Sequence, residues 1–257
     1  KGVLPAQHVV PLPITESDFE QFKTFLRTHA DQCAAVIVEP LVQGAGGMRM
    51  YEAIVLRRLR AACDERGLLL IFDEIFTGFG RTGSMFAHEE SGVVPDIMTL
   101  SKALTGGTMA LAATVASEKV YQAFLSKEAD SALMHGPTYM ANALACAAAN
   151  ASFDLFEWEP RLKQTAHIES QLEETLAPAT EIPGVTDVRV KGAVGVVQLS
   201  GSMHLNWMRA KFLERGVWVR PFRDIIYLTP ALNIQADDLS YLVDSVFKVL
   251  EEWSTLP

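Results

Sequence analysis

Short, continuous apolar runs alternate with stretches of helical spacing along most of the chain. Residues 34–38 (AAVIV) form a strand-like run ending at Glu39-Pro40, and a glycine-rich loop, Gln43-Gly44-Ala45-Gly46-Gly47, follows it. Residues 53–66 put Leu56, Leu59 and Ala62 on one helical face and stop at Gly67, which predicts a helix with a glycine end. Residues 68–72 (LLLIF) are a second strand run, ending at Asp73-Glu74, and residues 97–100 a third, ending at Ser101-Lys102. Continuous apolar runs separated by helices indicate parallel strands covered on both faces. Ahead of them Thr15, Ser17 and Asp18 are competing caps for a first helix. Nothing in the Pro-rich residues 1–13 reads as an opening strand, so the chain is expected to start inside a larger fold.

The pattern changes beyond residue 140. Residues 141–157 read as an Ala-rich helix and 159–176 as an amphipathic one, before Pro178 and Pro183-Gly184 break the chain. Strand runs follow at 185–190, 195–199, 217–219 and 225–228, with helices near 205–215 and 237–253. The expected fold class is α/β, with residues 1–158 in a larger, mainly parallel-sheet domain and 159–257 in a smaller α/β domain. Repeats and low-complexity segments are absent.

Composition narrows the classes. The 257 residues are 49% hydrophobic and 21% charged, which excludes disorder and leaves enough chain for a true core. A formal net charge of −9 argues against nucleic acid or an anionic membrane as partner. No apolar run approaches the ~20 residues of a membrane span. The first ten residues lack the apolar centre and cleavage site of a signal peptide. Cys33, Cys63 and Cys146 are odd in number and far apart, neither a disulfide frame nor a metal set, so a reducing cytoplasm is expected.

Four clusters are candidates for chemistry. Asp73-Glu74 ends a buried strand, where open parallel sheets bind ligands; for an isolated strand-end acid, a helix cap or a loop ion pair is the commoner role. Gly78-Phe79-Gly80-Arg81-Thr82-Gly83 matches the dinucleotide fingerprint G-x-G-x-x-G, but five residues separate it from the strand and no helix opens at its third glycine. A flexible turn is the simpler reading. Lys102 ends the next apolar strand after the one ending in Asp73, so both open onto one edge of the sheet. A desolvated lysine can form a Schiff base, and a nearby carboxylate suits a pyridinium nitrogen. That pairing is the skeleton of a pyridoxal phosphate site. His135-Gly136-Pro137-Thr138-Tyr139 precedes the Ala-rich helix, where Thr138 either helps bind a phosphate or caps the helix.

The segment IFDEIFTGFGRTG (residues 71–83), followed by Lys102 in LSKALTGG, resembles the signature of class III pyridoxal phosphate aminotransferases, enzymes of fold type I. MHGPTYMANALACAAANAS (134–152), EPLVQGAGGMRMY (39–51) and GVWVRPFRDIIYLTP (216–230) are most similar to the members that serve biotin synthesis. The resemblance implies transfer of an amino group from S-adenosylmethionine to 8-amino-7-oxononanoate, in two half-reactions, by a homodimer with shared sites. It implies that Lys102 holds pyridoxal phosphate covalently and shuttles the proton, that Asp73 pairs with the pyridine nitrogen, and that Ile75 packs on the ring. Pro137 and Thr138 would contact a phosphate, commonly the neighbouring subunit's. Gly136 would line the substrate pocket, Arg220 would bind the oxo-acid carboxylate, and Tyr227 would lie nearby. Without the resemblance, an ion pair at the domain joint is the first reading of Arg220.

Departures from the family pattern are Phe76 where a small residue is expected, Ala143 where proline often follows Asn142, and the missing N-terminal part, which would supply much of the pocket. Ala45 stands where many other class III enzymes carry an acid that gates a substrate arginine, which mildly favours the biotin enzyme. The rivals are another class III aminotransferase acting on an ω-amino acid, a non-catalytic fragment, and a nicotinamide dehydrogenase reading GFGRTG as its fingerprint.

Overall fold

The computed structural model describes residues 7–256. The first helix, α1 (Glu16–His29), is capped by Thr15: its hydroxyl accepts from the Asp18 amide while the Asp18 carboxylate accepts from the Thr15 amide, a reciprocal box. Then come β1 (Ala35–Val38), a short hairpin of β2 (Val42–Gln43) and β3 (Arg49–Met50), α2 (Ile54–Arg66), β4 (Leu69–Asp73) and β5 (Ile97–Leu100). Gly67 ends α2 at φ 66°, the left-handed conformation that makes glycine the natural stop. An antiparallel strand β6 (Ala113–Ala116), a short α3 (Glu118–Gln122) and α4 (Ala143–Trp158) complete this part.

The main sheet has the order β1-β4-β5-β6. The expected parallel pairing holds for β1 with β4 and for β4 with β5, whereas β6 pairs antiparallel with β5. Its sequence, ATVA, is half alanine, which has little strand preference, so it does not read as a strand. Leu70 and Phe72 of β4 are fully buried, but Ile37 of β1 is 64% exposed, so cover on both faces is incomplete.

The second unit holds α5 (Arg161–Leu176), β7 (Val185–Lys191), β8 (Val194–Leu199), α6 (Leu205–Glu214), β9 (Ile225–Leu228) and α7 (Ala236–Ser254). Its sheet is antiparallel, in the order β7-β8-β9. The strand expected at 217–219 is absent. Val217 and Val219 alternate inward and Trp218 outward, as in a strand, but the segment forms no ladder with a neighbour. Among the described residues no helix is long and apolar enough to cross a membrane.

Two features fix the frame. Asp96, just before β5, accepts from Arg60 Nη1 and from the Leu70 amide, each at 2.7 Å, which locks β5 to β4 and α2. The two sheets also share a core, since Val194, Val196 and Ile225 pack with Leu70 and Phe72. They meet at Gly192, where the Ala193 amide donates to the Arg81 carbonyl at 2.9 Å and a Cβ on Gly192 (φ 55°) would lie 2.5 Å from that oxygen.

Gly192→Ala is therefore expected to destabilise the protein by at least about 2 kcal/mol in chemical denaturation, because backbone, not a side chain, must yield. Partial burial opposes the charge on Asp96, but the Arg60 guanidinium and the Leu70 amide outweigh it and hold its pKa below the ordinary 3.8. A depressed carboxylate stabilises above its unfolded pKa and loses that contribution as pH falls through its folded value. Asp96→Asn should thus cost about 1–3 kcal/mol at pH 7, with the difference from wild type shrinking below about pH 4.

Candidate active site

The candidate site forms where the strands of the main sheet end. Asp73 is the last residue of β4 and is in register with Thr99 of β5, so the segment carrying Lys102 leaves the sheet beside it. Successive residues at a strand end face opposite ways, and Asp73 and Glu74 divide accordingly. Glu74 is fully buried and accepts from Thr77 Oγ1 at 2.7 Å and from the amides of Ala87 and His88 at 3.1 and 2.9 Å. Its role is to tie down the loop after β4. Asp73 keeps to the open side, where its Oδ1 accepts the Ile75 amide at 3.0 Å; among the described residues its other oxygen accepts nothing.

Lys102 has φ 49°, a left-handed backbone that a non-glycine residue rarely adopts. The bend opens a tight turn (Lys102–Thr105), which Ser152 of α4 supports by donating its hydroxyl to the Ala103 carbonyl at 3.1 Å. The Lys102 side chain is exposed, with neither a hydrogen bond nor an ion pair among the described residues; its Nζ lies 5.1 Å from the centre of the Phe76 ring.

Asp73, Ile75, Lys102 and Tyr227 line one cavity of about 590 Å³ between the two sheets. Glu39 lines it too and was missed as a site residue, although its place at the end of β1 repeats that of Asp73 on the adjacent strand. It accepts the Gly44 amide at 2.9 Å, while Tyr51 donates its hydroxyl to the Glu39 carbonyl at 2.5 Å. Burial pushes the Glu39 pKa up, the Gly44 amide opposes it, and the Asp73 charge adds to the rise. Phe76 stands between this cavity and a second one of about 730 Å³ that also reaches Lys102.

The remaining sequence candidates lie elsewhere. Arg220 is exposed and opens onto an adjoining hollow of about 240 Å³ that shares Tyr227 and Thr229 with the cavity of Lys102. Gly136, Pro137 and Thr138 are exposed and border neither cavity. Thr138 does not cap the Ala-rich helix. Asn142 does, its side chain accepting from the amides of Leu144 and Ala145, and the left-handed Ala141 (φ 53°) separates the preceding turn from the helix.

The glycine-rich motif at 78–83 is not a nucleotide loop, nor the flexible turn that is its simpler reading. Arg81 is half-buried and donates to the carbonyls of Ala193 and Pro230 at 3.0 and 2.8 Å, tying the loop after β4 to the second sheet; burial pulls its pKa down to about 10. Among the described residues no cluster of three His, Cys, Asp or Glu could hold a metal, and the three cysteines are free.

The pattern of the class-III aminotransferase family matches residues 2–250. The adenosylmethionine-8-amino-7-oxononanoate aminotransferase of Buchnera aphidicola subsp. Acyrthosiphon pisum is 43% identical over 235 residues, covering 91% of this chain and 55% of the relative. The enzyme of that name from Corynebacterium glutamicum is 42% identical, over 90% of this chain and 56% of its own length. Among solved structures, the adenosylmethionine-8-amino-7-oxononanoate aminotransferase of Methanocaldococcus jannaschii superposes with a TM-score of 0.87 at 31% identity, covering 95% of this chain and 59% of that one. An amine transaminase of an uncultivated Pseudomonas species, solved with pyridoxal phosphate bound, gives 0.87 at 33% identity, covering 92% and 56%. The chain thus spans about half the length of the curated relatives it matches. With a paired acid and lysine at neighbouring strand ends and a family match over nearly its whole length, the chain belongs to the class III aminotransferases.

Proposed function

We propose that the protein carrying this chain is a pyridoxal-phosphate-dependent transaminase that moves an amino group from S-adenosylmethionine to 8-amino-7-oxononanoate, a step of biotin synthesis. The carrying observation is the convergence of Asp73 and Lys102, from neighbouring parallel strands, on one cavity. The substrates come from the names of the relatives. An amine transaminase acting on other donors is the second reading, favoured by the likeness to the Pseudomonas enzyme.

The residues present fit the cofactor. Asp73 has an oxygen free to accept a pyridinium N–H, and Lys102 has an amine without a competing partner among the described residues. When bound, pyridoxal phosphate supplies a ring that withdraws electrons from the carbon bearing the amine. The protein's own work is then positional. Asp73 would hold the ring nitrogen protonated, Ile75 would cover a face, and Lys102 would hold the group and carry a proton at Nζ. Arg220 matches the oxo-acid carboxylate through paired hydrogen bonds, with Tyr227 between the two hollows.

Gly136, Pro137 and Thr138 belong in this reading to a neighbouring copy's site, lining its pocket and binding its phosphate, and their exposure away from the local cavity supports a homodimer with shared sites. Two separate sheets, one on each side of the boundary, support a division into residues 1–158 and 159–257. Free cysteines support a reducing, cytoplasmic setting.

Lys102→Ala should abolish transamination while leaving unfolding of the cofactor-free protein within about 0.5 kcal/mol of wild type, since the exposed side chain makes neither a hydrogen bond nor an ion pair among the described residues; turnover by the variant would contradict its role. Arg220→Ala should raise KM for the oxo acid about tenfold or more. An unchanged KM would remove Arg220 from the site.

A further inference from the structure

Arg189 sits on β7, away from the residues given roles above. Its Nε donates to the Met48 carbonyl at 2.9 Å and its Nη2 to the Gly47 carbonyl at 2.8 Å. Nη1 is held on its own sheet by Asp187 at 2.6 Å and Gln198 at 2.8 Å. The guanidinium is thus fixed before it reaches across to the glycine-rich loop.

The two carbonyls belong to consecutive left-handed residues, Gly47 (φ 104°) and Met48 (φ 51°). Glycine tolerates that conformation; methionine is sterically disfavoured in it. Something must hold the turn, and Arg189 grips the backbone at both residues. The consequence reaches the cavity, because Met48 is buried and lines it with Gly44 and Ala45 of the same loop. Glu39 pins the other end of the loop through the Gly44 amide. Ile75, Phe76 and Phe222 make the rest of this lining largely apolar.

We propose that Arg189 is a positioning residue: it latches the turn at Gly47 and Met48 so that Met48 forms the wall receiving the apolar chain of the oxo-acid substrate. The proposal rests on the transaminase reading of the cavity. Lysine is a poorer substitute, since its ammonium lacks the rigid planar fork that meets both carbonyls while Nη1 stays bonded to Asp187 and Gln198.

The test uses the complete enzyme carrying Arg189→Ala or Arg189→Lys. Amide hydrogen exchange is followed over residues 44–51, where the Gly47 and Met48 amides both bond to the Gly44 carbonyl. KM and kcat for 8-amino-7-oxononanoate are measured alongside. Arg189→Ala should speed exchange in this loop at least tenfold relative to the rest of the chain and raise KM severalfold, with kcat within about twofold; Arg189→Lys should restore only part of either effect. A purely structural arginine would lower the melting temperature yet leave loop exchange and KM at wild-type values, and that result overturns the proposal. So does full rescue by lysine. If the wild-type enzyme transfers no amino group at all, the functional reading fails, and loop exchange alone decides whether the latch exists.

Discussion

The parallel pairing of β4 with β5 is the constraint on which the candidate site depends. Parallel neighbours deliver their carboxyl ends to one edge, and the register Asp73↔Thr99 puts an acid and, three residues further on, a lysine at that edge. Side-chain alternation sends Glu74 into the loop anchor and leaves Asp73 in the cavity. A slip of one residue would exchange those roles, burying the acid that should face a ligand. The bonds from Arg60 and the Leu70 amide to Asp96 oppose such a slip at the other end of the strand.

The cavity also needs its second wall. Tyr227 of β9 and Thr229, just past its end, come from the other sheet's side, so the distance between sheets sets the width of the site. Arg81 and Gly192 fix that distance at one point and Arg189 at another, and each contact ends on backbone carbonyls. Backbone acceptors cannot swing away as side chains do, so these contacts set position more firmly than surface ion pairs. The same demand accounts for the glycines: at Gly192 two backbones come too close for a Cβ. The GFGRTG segment resembles a nucleotide loop because its own turn calls for the same residue: Gly80 (φ 79°) and Gly83 (φ 112°) take backbone conformations that favour glycine.

Much of the frame was legible in the sequence because it rests on local apolar runs. The strands that lead into Glu39, end in Asp73 and lead into Ser101-Lys102, and the helix stopping at Gly67, appear where periodicity puts them. Residues 113–116 were not legible, since an edge strand gains its identity from pairing with β5 rather than from its own composition. Residues 217–219 failed in the opposite way, with strand-like alternation but no partner. Within the site, Asp73, Lys102, Ile75 and Tyr227 converge, while Gly136, Pro137 and Thr138 stand apart from the local cavity. Glu39 was readable in principle as a third strand-end acid. The grip of Arg189 on the glycine-rich loop was not, because it spans 141 residues of sequence.

The central claim is that Asp73 and Lys102 serve one cofactor, and the most direct measurement is the position of the covalent bond. The protein is incubated with pyridoxal phosphate, reduced with borohydride, digested and mapped by mass spectrometry. A single modified peptide is expected, carrying the pyridoxyl phosphate on Lys102, with less modification in Asp73→Asn. Modification at another lysine, or none in a folded protein saturated with cofactor, would contradict it.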